Sequence, residues 1–519
     1  MMARVLDYRT VLAAFIAVSL TGCSVGPDFH RPTLDGKARY QPGPAPTTVT
    51  QTSLTGQTMA SQTLNQGADV EGEWWTLFGV PELNTLVARA RANNPTLQSA
   101  QTTLKAAWEQ AKVQAAPMFP SISAMFNPTR NKTTRALSPV PGNNSYLYNL
   151  HTLQLNISYQ PDLWGGLRRQ MEAAAAQAEV ERFQLEAMVN TIINSLLVAV
   201  LQQASANAQI AVLNDQLTMQ KDLLHILQER YRLGDVALAD VLAQQTVVTN
   251  TAASLPPLKL QAEQAHDQIA TLVGVTPDEV LPEPRLDEFH LPQNLPVSLP
   301  SQLLEQRPDV RAAEAQMHIN SAQVGVAIAN RLPNVQLSAT PGQAVNAMSQ
   351  FFAPGSGNWQ IGAMLAQPLF QGFQLWHLER EARDTLLASS KTYRATVLDA
   401  IQNVADALHA LQDDADTLSA TQQSDATAQQ SVKITHAQNT MGDVSVAMMM
   451  TIQQQALQAR QALVQARVAR FSDTVGLFQA LGGGWWHRND SGMKDQPATW
   501  QGVFTAAPGA PADPVRTVN

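Results

Sequence analysis

Cys23 is the only cysteine in the sequence, and its surroundings give the thiol one task. Two basic residues, Arg4 and Arg9, precede an apolar run from Val11 to Leu20, and the small residues Thr21 and Gly22 lead to the thiol. This is the layout of a bacterial secretory signal. A cysteine directly after Leu-Thr-Gly reads as a lipobox: residues 1–22 are removed, and the Cys23 thiol and new amino terminus take fatty acyl chains. The run is too short to span a bilayer as a mature helix, whereas several acyl chains anchor a protein stably. An ordinary signal with a coincidental cysteine is the competing reading. Ser24 replaces the aspartate that would favour retention at the inner membrane, so export to the outer membrane is expected.

Little else in the chain could do chemistry. It has no phosphate-binding glycine loop, metal-spaced Cys/His set or nucleophile elbow. The ten histidines are scattered. Met448-Met449-Met450 offers soft thioethers, but adjacent helical residues point in different directions, so packing explains them better. The expectation is therefore no enzyme, and no cofactor or metal beyond a covalent lipid on Cys23. A charge of −8 without a basic block argues against nucleic acid as a partner. With 519 residues, 45% hydrophobic and 15% charged, the chain can bury a large core.

The surrounding elements are legible from periodicity. Residues 23–80 are rich in Pro, Thr, Gln and Gly and read as an extended, tether-like segment. Helical spacing of Leu83, Leu86, Val87, Ala90, Leu97, Leu104 and Trp108 follows, with Asn94-Pro95 capping and restarting the helix. Pro117 and Pro120 end it. After a first strand near Ser121–Phe126, Leu153, Leu155, Ile157 and Tyr159 alternate with Gln154, Asn156, Ser158 and Gln160. Such a strand suits a soluble half-buried sheet or a membrane barrel with lipid on one side and water on the other. From Leu167 to Leu233, 67 residues contain no Gly or Pro, which predicts one unbroken helix. Its length is roughly 100 Å. Gly234-Asp235 turns the chain into a second helix, Val236 to Val273, kinked at Pro256-Pro257. No run of about 18 apolar residues follows residue 22, so no helical membrane span is expected.

The order of elements then repeats. Pro95 and Pro120 match Pro308 and Pro333 at an offset of 213, and Gln160-Pro161 matches Gln367-Pro368 at 207. The turns Gly234-Asp235-Val236 and Gly442-Asp443-Val444 differ by 208. The second strands carry Val335, Leu337 and Ala339, then Trp359, Ile361, Ala363 and Leu365, and Gln374 to Met441 again lacks Gly and Pro. Internal repetition at this fidelity gives the domain plan. It comprises a signal (1–22), an extended segment (23–80), a first repeat (81–275), a proline-rich linker (276–306), a second repeat (307–484) and a flexible tail (485–519). Each repeat is short helix, strand, strand, long helix, turn and medium helix. Four strands cannot close a barrel, and open sheet edges are not tolerated in lipid.

Cys23-Ser-Val-Gly-Pro-Asp-Phe-His-Arg-Pro resembles the mature amino terminus of NodT-type outer-membrane efflux lipoproteins, the TolC-like outer membrane factors of resistance-nodulation-division (RND) systems. Trp74-Trp75-Thr76-Leu77-Phe78 and Asn94-Pro95 are similar to that family's entry into its first helix, and the likeness extends over roughly residues 20–486. The resemblance implies an α+β membrane channel. In it, a homotrimer closes a 12-stranded outer-membrane β-barrel, four strands per chain, continuous with a long periplasmic α-helical barrel. It implies an exit duct passing drugs or other toxic compounds, with a periplasmic adaptor, an inner-membrane RND pump and outer-membrane lipid as partners. It also places the adaptor contact and periplasmic gate at the helix turns: Gly234, Asp235, Asp240, Gly442, Asp443 and Met448. Asp240 matches the family's acidic position six residues after the first glycine, but Met448 and Thr451 stand where relatives often carry aspartate. A more apolar constriction is therefore expected.

The alternatives are a TolC-like channel for type I protein secretion and a lipid-anchored periplasmic coiled-coil structural protein. The anchor is tested by metabolic labelling with a fatty acid: Cys23→Ser reduces the label to background and impairs sorting more than conduction, whereas persistent label contradicts the lipobox.

Overall fold

The computed structural model describes residues 24–33, 39–42, 47–49, 62–132, 147–441 and 443–488. Its elements follow the repeat. Strands β1 (Thr48–Val49) and β2 (Gln62–Gln66) precede a short 3-10 helix, Trp74–Phe78, and helices α1 (Pro81–Asn93) and α2 (Pro95–Ala115). The joint between these helices is a cap. Asn94 Oδ1 accepts from the backbone N–H of Thr96 and Leu97 at 2.9 and 3.1 Å, and Pro95 needs no partner for a donor it lacks. Next come β3 (Ser121–Lys132), β4 (Leu147–Tyr159), α3 (Gly166–Arg232), α4 (Leu238–Ala253) and α5 (Leu255–Val273). The second half contains β5 (Asn294–Val297), α6 (Leu303–Gln306), α7 (Pro308–Ala329), β6 (Asn334–Ala339), β7 (Gly342–Val345), β8 (Gly357–Asn358), β9 (Ile361–Ala366), α8 (Gln374–Met441) and α9 (Val446–Ala480).

The two long helices are 67 and 68 residues, so each is about 100 Å long. Against α3 lie α2 and then α5 and α4, and against α8 lie α7 and α9. Proline makes the repeats unequal. The first medium helix breaks at Ser254, just before Leu255-Pro256-Pro257, whereas α9 runs unbroken for 35 residues.

Four expectations are corrected. The proline-rich linker is packed: Leu281, Leu286, Phe289 and Leu295 are buried, and β5 pairs in parallel with β2. Extended residues 62–66 are likewise a strand, with Gln62 and Leu64 turned inward, and not a free tether. These segments join Trp74, Phe78, Phe471 and Phe478 in a core at mid-length, where Trp74 stacks on Phe478 at 4.8 Å. The expected tail begins too early, because Trp485 Nε1 donates to the Gln306 carbonyl at 2.7 Å and Arg488 is buried against Glu186. Helix α3 also contains a window of 18 residues apolar enough to cross a bilayer, contrary to expectation, but half of that window is buried in protein.

Beside this core, Arg470 is buried and donates to the Leu411 carbonyl and Gln62 Oε1, tying α9 to α8 and β2. Burial lowers its pKa to about 10. Burial, reinforced by a hydrogen bond and repulsion from Asp473, raises Asp414 from 3.8 to about 7, opposed by Arg470; Asp413 adds further repulsion. The folded state thus holds a proton that the unfolded chain releases near pH 3.8, so stability falls as pH rises from there through about 7. Asp414→Asn, which mimics the protonated form, should flatten that fall: thermal unfolding of variant and wild type converges at pH 4 and separates in the variant's favour at pH 8.

Candidate functional site

Six strand segments form one antiparallel sheet of four ribbons: β3, β4, β6 with β7, and β9 with β8. Directly opposed residues share a face. Ile122, Ala124 and Phe126 oppose Ile157, Leu155 and Leu153; Ile157 and Tyr159 oppose Ala339 and Leu337; Val335, Leu337 and Ala339 oppose Leu365, Ala363 and Ile361. One face is therefore apolar across all four ribbons over these pairs, whereas farther along it Gln343 opposes Leu153 and His151 opposes Pro128. Exposures of 67% at Ile122, 44% at Leu155, 74% at Ile361 and 70% at Leu365 leave it uncovered. An apolar face of that extent marks an interaction surface. The other face carries Ser121, Ser123, Gln154, Asn156, Ser158, Gln336 and Ser338, interrupted by Met125 and Met364. Its amides bond along the surface, Gln154 to Asn156 at 2.9 Å and Gln336 to Ser158 at 3.2 Å. The outer edges of β3 and β9 have no partner strand among the described residues.

Cys23 lies outside the described residues, but the chain just after it is held firmly. Val25 N–H donates to the Trp164 carbonyl at 3.0 Å, at the foot of the strands. A side chain on Gly165 would come within 2.7 Å of Ser24, and one on Gly26 within 2.5 Å of the Gly325 backbone. This strap lies across α3 and α7. Arg169, itself buried, donates to Val25 O, to Asp28 at 2.5 Å and to Glu172 at 2.8 Å. The Arg169 guanidinium holds the Asp28 carboxyl below its ordinary range. Phe29 stacks on His318 at 4.4 Å, and Arg31 pairs with Glu314 at 2.8 Å. Sequence reasoning missed these partners; the Gly-Pro-Asp after Ser24 was the available signal.

At the far end of the helices, Gly234 adopts φ 81° with open space around it, as a tight turn requires. Asp235 is ion-paired to Arg230 at 2.6 Å. Asp240 is half-buried in the first turn of α4. Gly442 lies outside the described residues, while Asp443 is exposed and Ser445 caps α9 through Met448 N–H. The three methionines divide. Met449 is buried with Leu223, Leu227 and Val241, Met450 packs against that cluster, and Met448 is 49% exposed. The structure thus brings Val241 and Met449 to one joint of α3, α4 and α9, with Asp240 next to it in sequence, and leaves Met448 exposed.

The sequence pattern of the family described as "Outer membrane efflux protein" matches residues 86–275 and 299–483, one block per repeat. The chain is 29% identical over 423 residues to the pyoverdine export outer membrane protein OpmQ of Pseudomonas aeruginosa, covering 80% of this chain and 87% of that protein. It is 26% identical over 498 residues to the toluene efflux pump outer membrane protein TtgF of Pseudomonas putida, covering 94% and 99%. Among solved structures, the outer-membrane channel OprN superposes with a TM-score of 0.78 at 26% identity, covering 89% of this chain and all of that one.

Proposed function

The chain belongs to the outer membrane efflux protein family, and on that basis we propose that it is the outer-membrane exit duct of a tripartite efflux system. It is a conduit and not an enzyme. The observation that carries this reading is the sheet: one face apolar, one face hydrophilic, two edges open, mounted on helices about 100 Å long. Three copies pairing β9 of one with β3 of the next give twelve strands and no edge, with the hydrophilic face lining water. The helices extend the bore through the periplasm, where an adaptor joins it to an inner-membrane pump of the RND type. Acyl chains on Cys23 enter the membrane where the strap meets the strand foot. Relatives named for pyoverdine export and toluene efflux support small organic cargo.

The turns at Gly234 and Gly442 form the periplasmic aperture in this reading, with Gly234, Asp235, Gly442 and Asp443 on the adaptor-facing rim. Asp235 is already neutralised by Arg230, and Asp240 is half-buried, so Met448 supplies the narrowing and Asp240 and Asp443 only secondary charge.

Single cysteines along β4 test the duct. Those at Gln154, Asn156 and Ser158 should react with a membrane-impermeant thiol reagent and those at Leu153, Leu155 and Ile157 should not; uniform reactivity places the sheet in solution. Arginine at Leu155, near the midplane, should cost about 2–4 kcal/mol, against little at Asn156. For the aperture, single-channel recording should show weak block by divalent cations and a larger closed-state leak in Met448→Ala. Strong block that Asp240→Ala abolishes, with Met448→Ala silent, contradicts the apolar constriction.

A further inference from the structure

Beside the aromatic core, a groove of about 1020 Å³ opens between α2 and the start of α7, with α3 as its floor. Among the described residues its cations are Arg31, Arg91, Lys105, Arg182, Arg311 and Arg488, set against Asp69, Glu186 and Glu305. Six positive side chains facing three carboxylates run counter to a chain of net charge −8. Every wall of the groove belongs to one chain. Leu97, Gln101 and Leu104, at i, i+4 and i+7, form the α2 wall and continue through Trp108 as the stripe that α2 turns towards α3. A second copy in the proposed duct meets the opposite side of α2, so closing the sheet leaves the groove as it is.

The carboxylates around it are already engaged. Asp69 accepts from Val70 N–H at 3.0 Å, Gln306 at 2.9 Å and Trp486 at 3.1 Å, with His487 at 2.6 Å. Glu186 holds Arg488, and the exposed Glu305 reaches Arg31 at 3.7 Å. Behind the lining, Glu179 pairs with Arg182 at 2.9 Å, and Glu314 serves both Arg31 and Arg311 at 2.8 and 3.5 Å. Each of these arginines is thus paired, yet Arg182 Nε, Arg311 Nε and both Nε and Nη1 of Arg488 are buried without a hydrogen-bond partner. Buried donors left in that condition are costly and call for an acceptor. Burial also lowers the pKa of Arg91 and Arg488, which Glu186 offsets only in part. The cations converge. The Arg182 and Arg311 guanidinium groups lie 4.5 and 4.9 Å from the Phe183 ring, Trp485 meets the same ring edge-on at 5.8 Å, and Glu186 brings Arg488 to the next turn of α3.

We propose that this groove binds a small organic anion, whose carboxylate or phosphate is held by Arg182, Arg311 and Arg488 and whose apolar body lies along Leu97, Leu104 and the two indoles. Guanidinium forks suit either acidic group. Trp485 and Trp486 spend their N–H groups on the Gln306 carbonyl and Asp69, which fixes the rings and leaves their faces for contact. The volume is at the upper end of small-molecule sites, about 300–1,000 Å³, so the occupant is a compact molecule. Bound there, it joins α2, α3, α7 and the segment after α9 at the place where the core belts the rods. The site stands apart from the duct reading, since a single chain contains all of it.

The test is calorimetric titration of the detergent-solubilised full-length protein with phenyl phosphate and with phenylacetate, using uncharged benzyl alcohol as the control. At least one of the anions should bind saturably, one per chain, and less tightly as salt is added. Tighter phenyl phosphate assigns a phosphate and tighter phenylacetate a carboxylate, and both support the site. Arg311→Gln should weaken binding about tenfold, the worth of one charge-assisted hydrogen bond, and Arg311→Lys should restore part of it. Gln101→Trp fills the groove from its exposed rim without removing a charge, so it should abolish binding while thermal unfolding stays that of the wild type. The site is overturned if neither anion saturates, or if benzyl alcohol binds as tightly as the anions. It is overturned equally by anion binding that Gln101→Trp leaves unchanged, which would place the anion in the micelle or elsewhere on the chain.

Discussion

Backbone hydrogen bonding at the two outer edges of the strand sheet sets the terms for the rest of the molecule. Within a sheet each N–H and C=O finds its partner on the neighbouring strand, but β3 and β9 each turn one row of such groups outward. In water those groups would be solvated at little cost, whereas in hydrocarbon each unsatisfied group costs several kcal/mol. The register lines Ile122, Leu155, Leu337 and Ile361 on one face, and in the duct proposed above that face meets lipid, where open edges are untenable. In the proposed duct a single chain is therefore an unfinished structure, and closing it takes further copies.

Long helices without glycine or proline convert this local demand into a long conduit. Residues 166–232 and 374–441 hold their turns about 100 Å from the strands, so what happens at Met448 is mechanically remote from the sheet. Rods of that length bury little by themselves. The core supplied by Trp74, Phe78, Phe289, Phe471 and Phe478 binds them at mid-length, and the strap from Ser24 to Arg31 binds α3 to α7 below the strands. The tips lack such a belt. They rest on the small cluster of Leu223, Leu227, Val241 and Met449, and fewer buried contacts mean a lower local stability, as the aperture proposed there would need.

Much of this was legible in the sequence because the signals were long or chemically exclusive. The absence of Gly and Pro over 67 residues placed α3 within one residue at either end, Asn94-Pro95 announced its own cap, and strict alternation along β4 announced two faces. What stayed hidden depended on pairing across distance. In β2 only Gln62 and Leu64 point inward, too few for a period, and the partner strand lies 231 residues on at Thr63 and Asn294. Proline between residues 276 and 306 suggested a linker, because proline signals a break in periodic structure and says nothing of burial. Arg169 looks like any helical arginine until the strap is seen across it.

The mass of the detergent-solubilised assembly tests the central claim most directly, because edge closure requires a fixed number of chains. Native mass spectrometry should show a species of three chains, each carrying covalent lipid, that dissociates only as its strand signal in circular dichroism is lost. Single chains that retain the full strand signal in detergent would show that the edges need no partner, and would contradict the account.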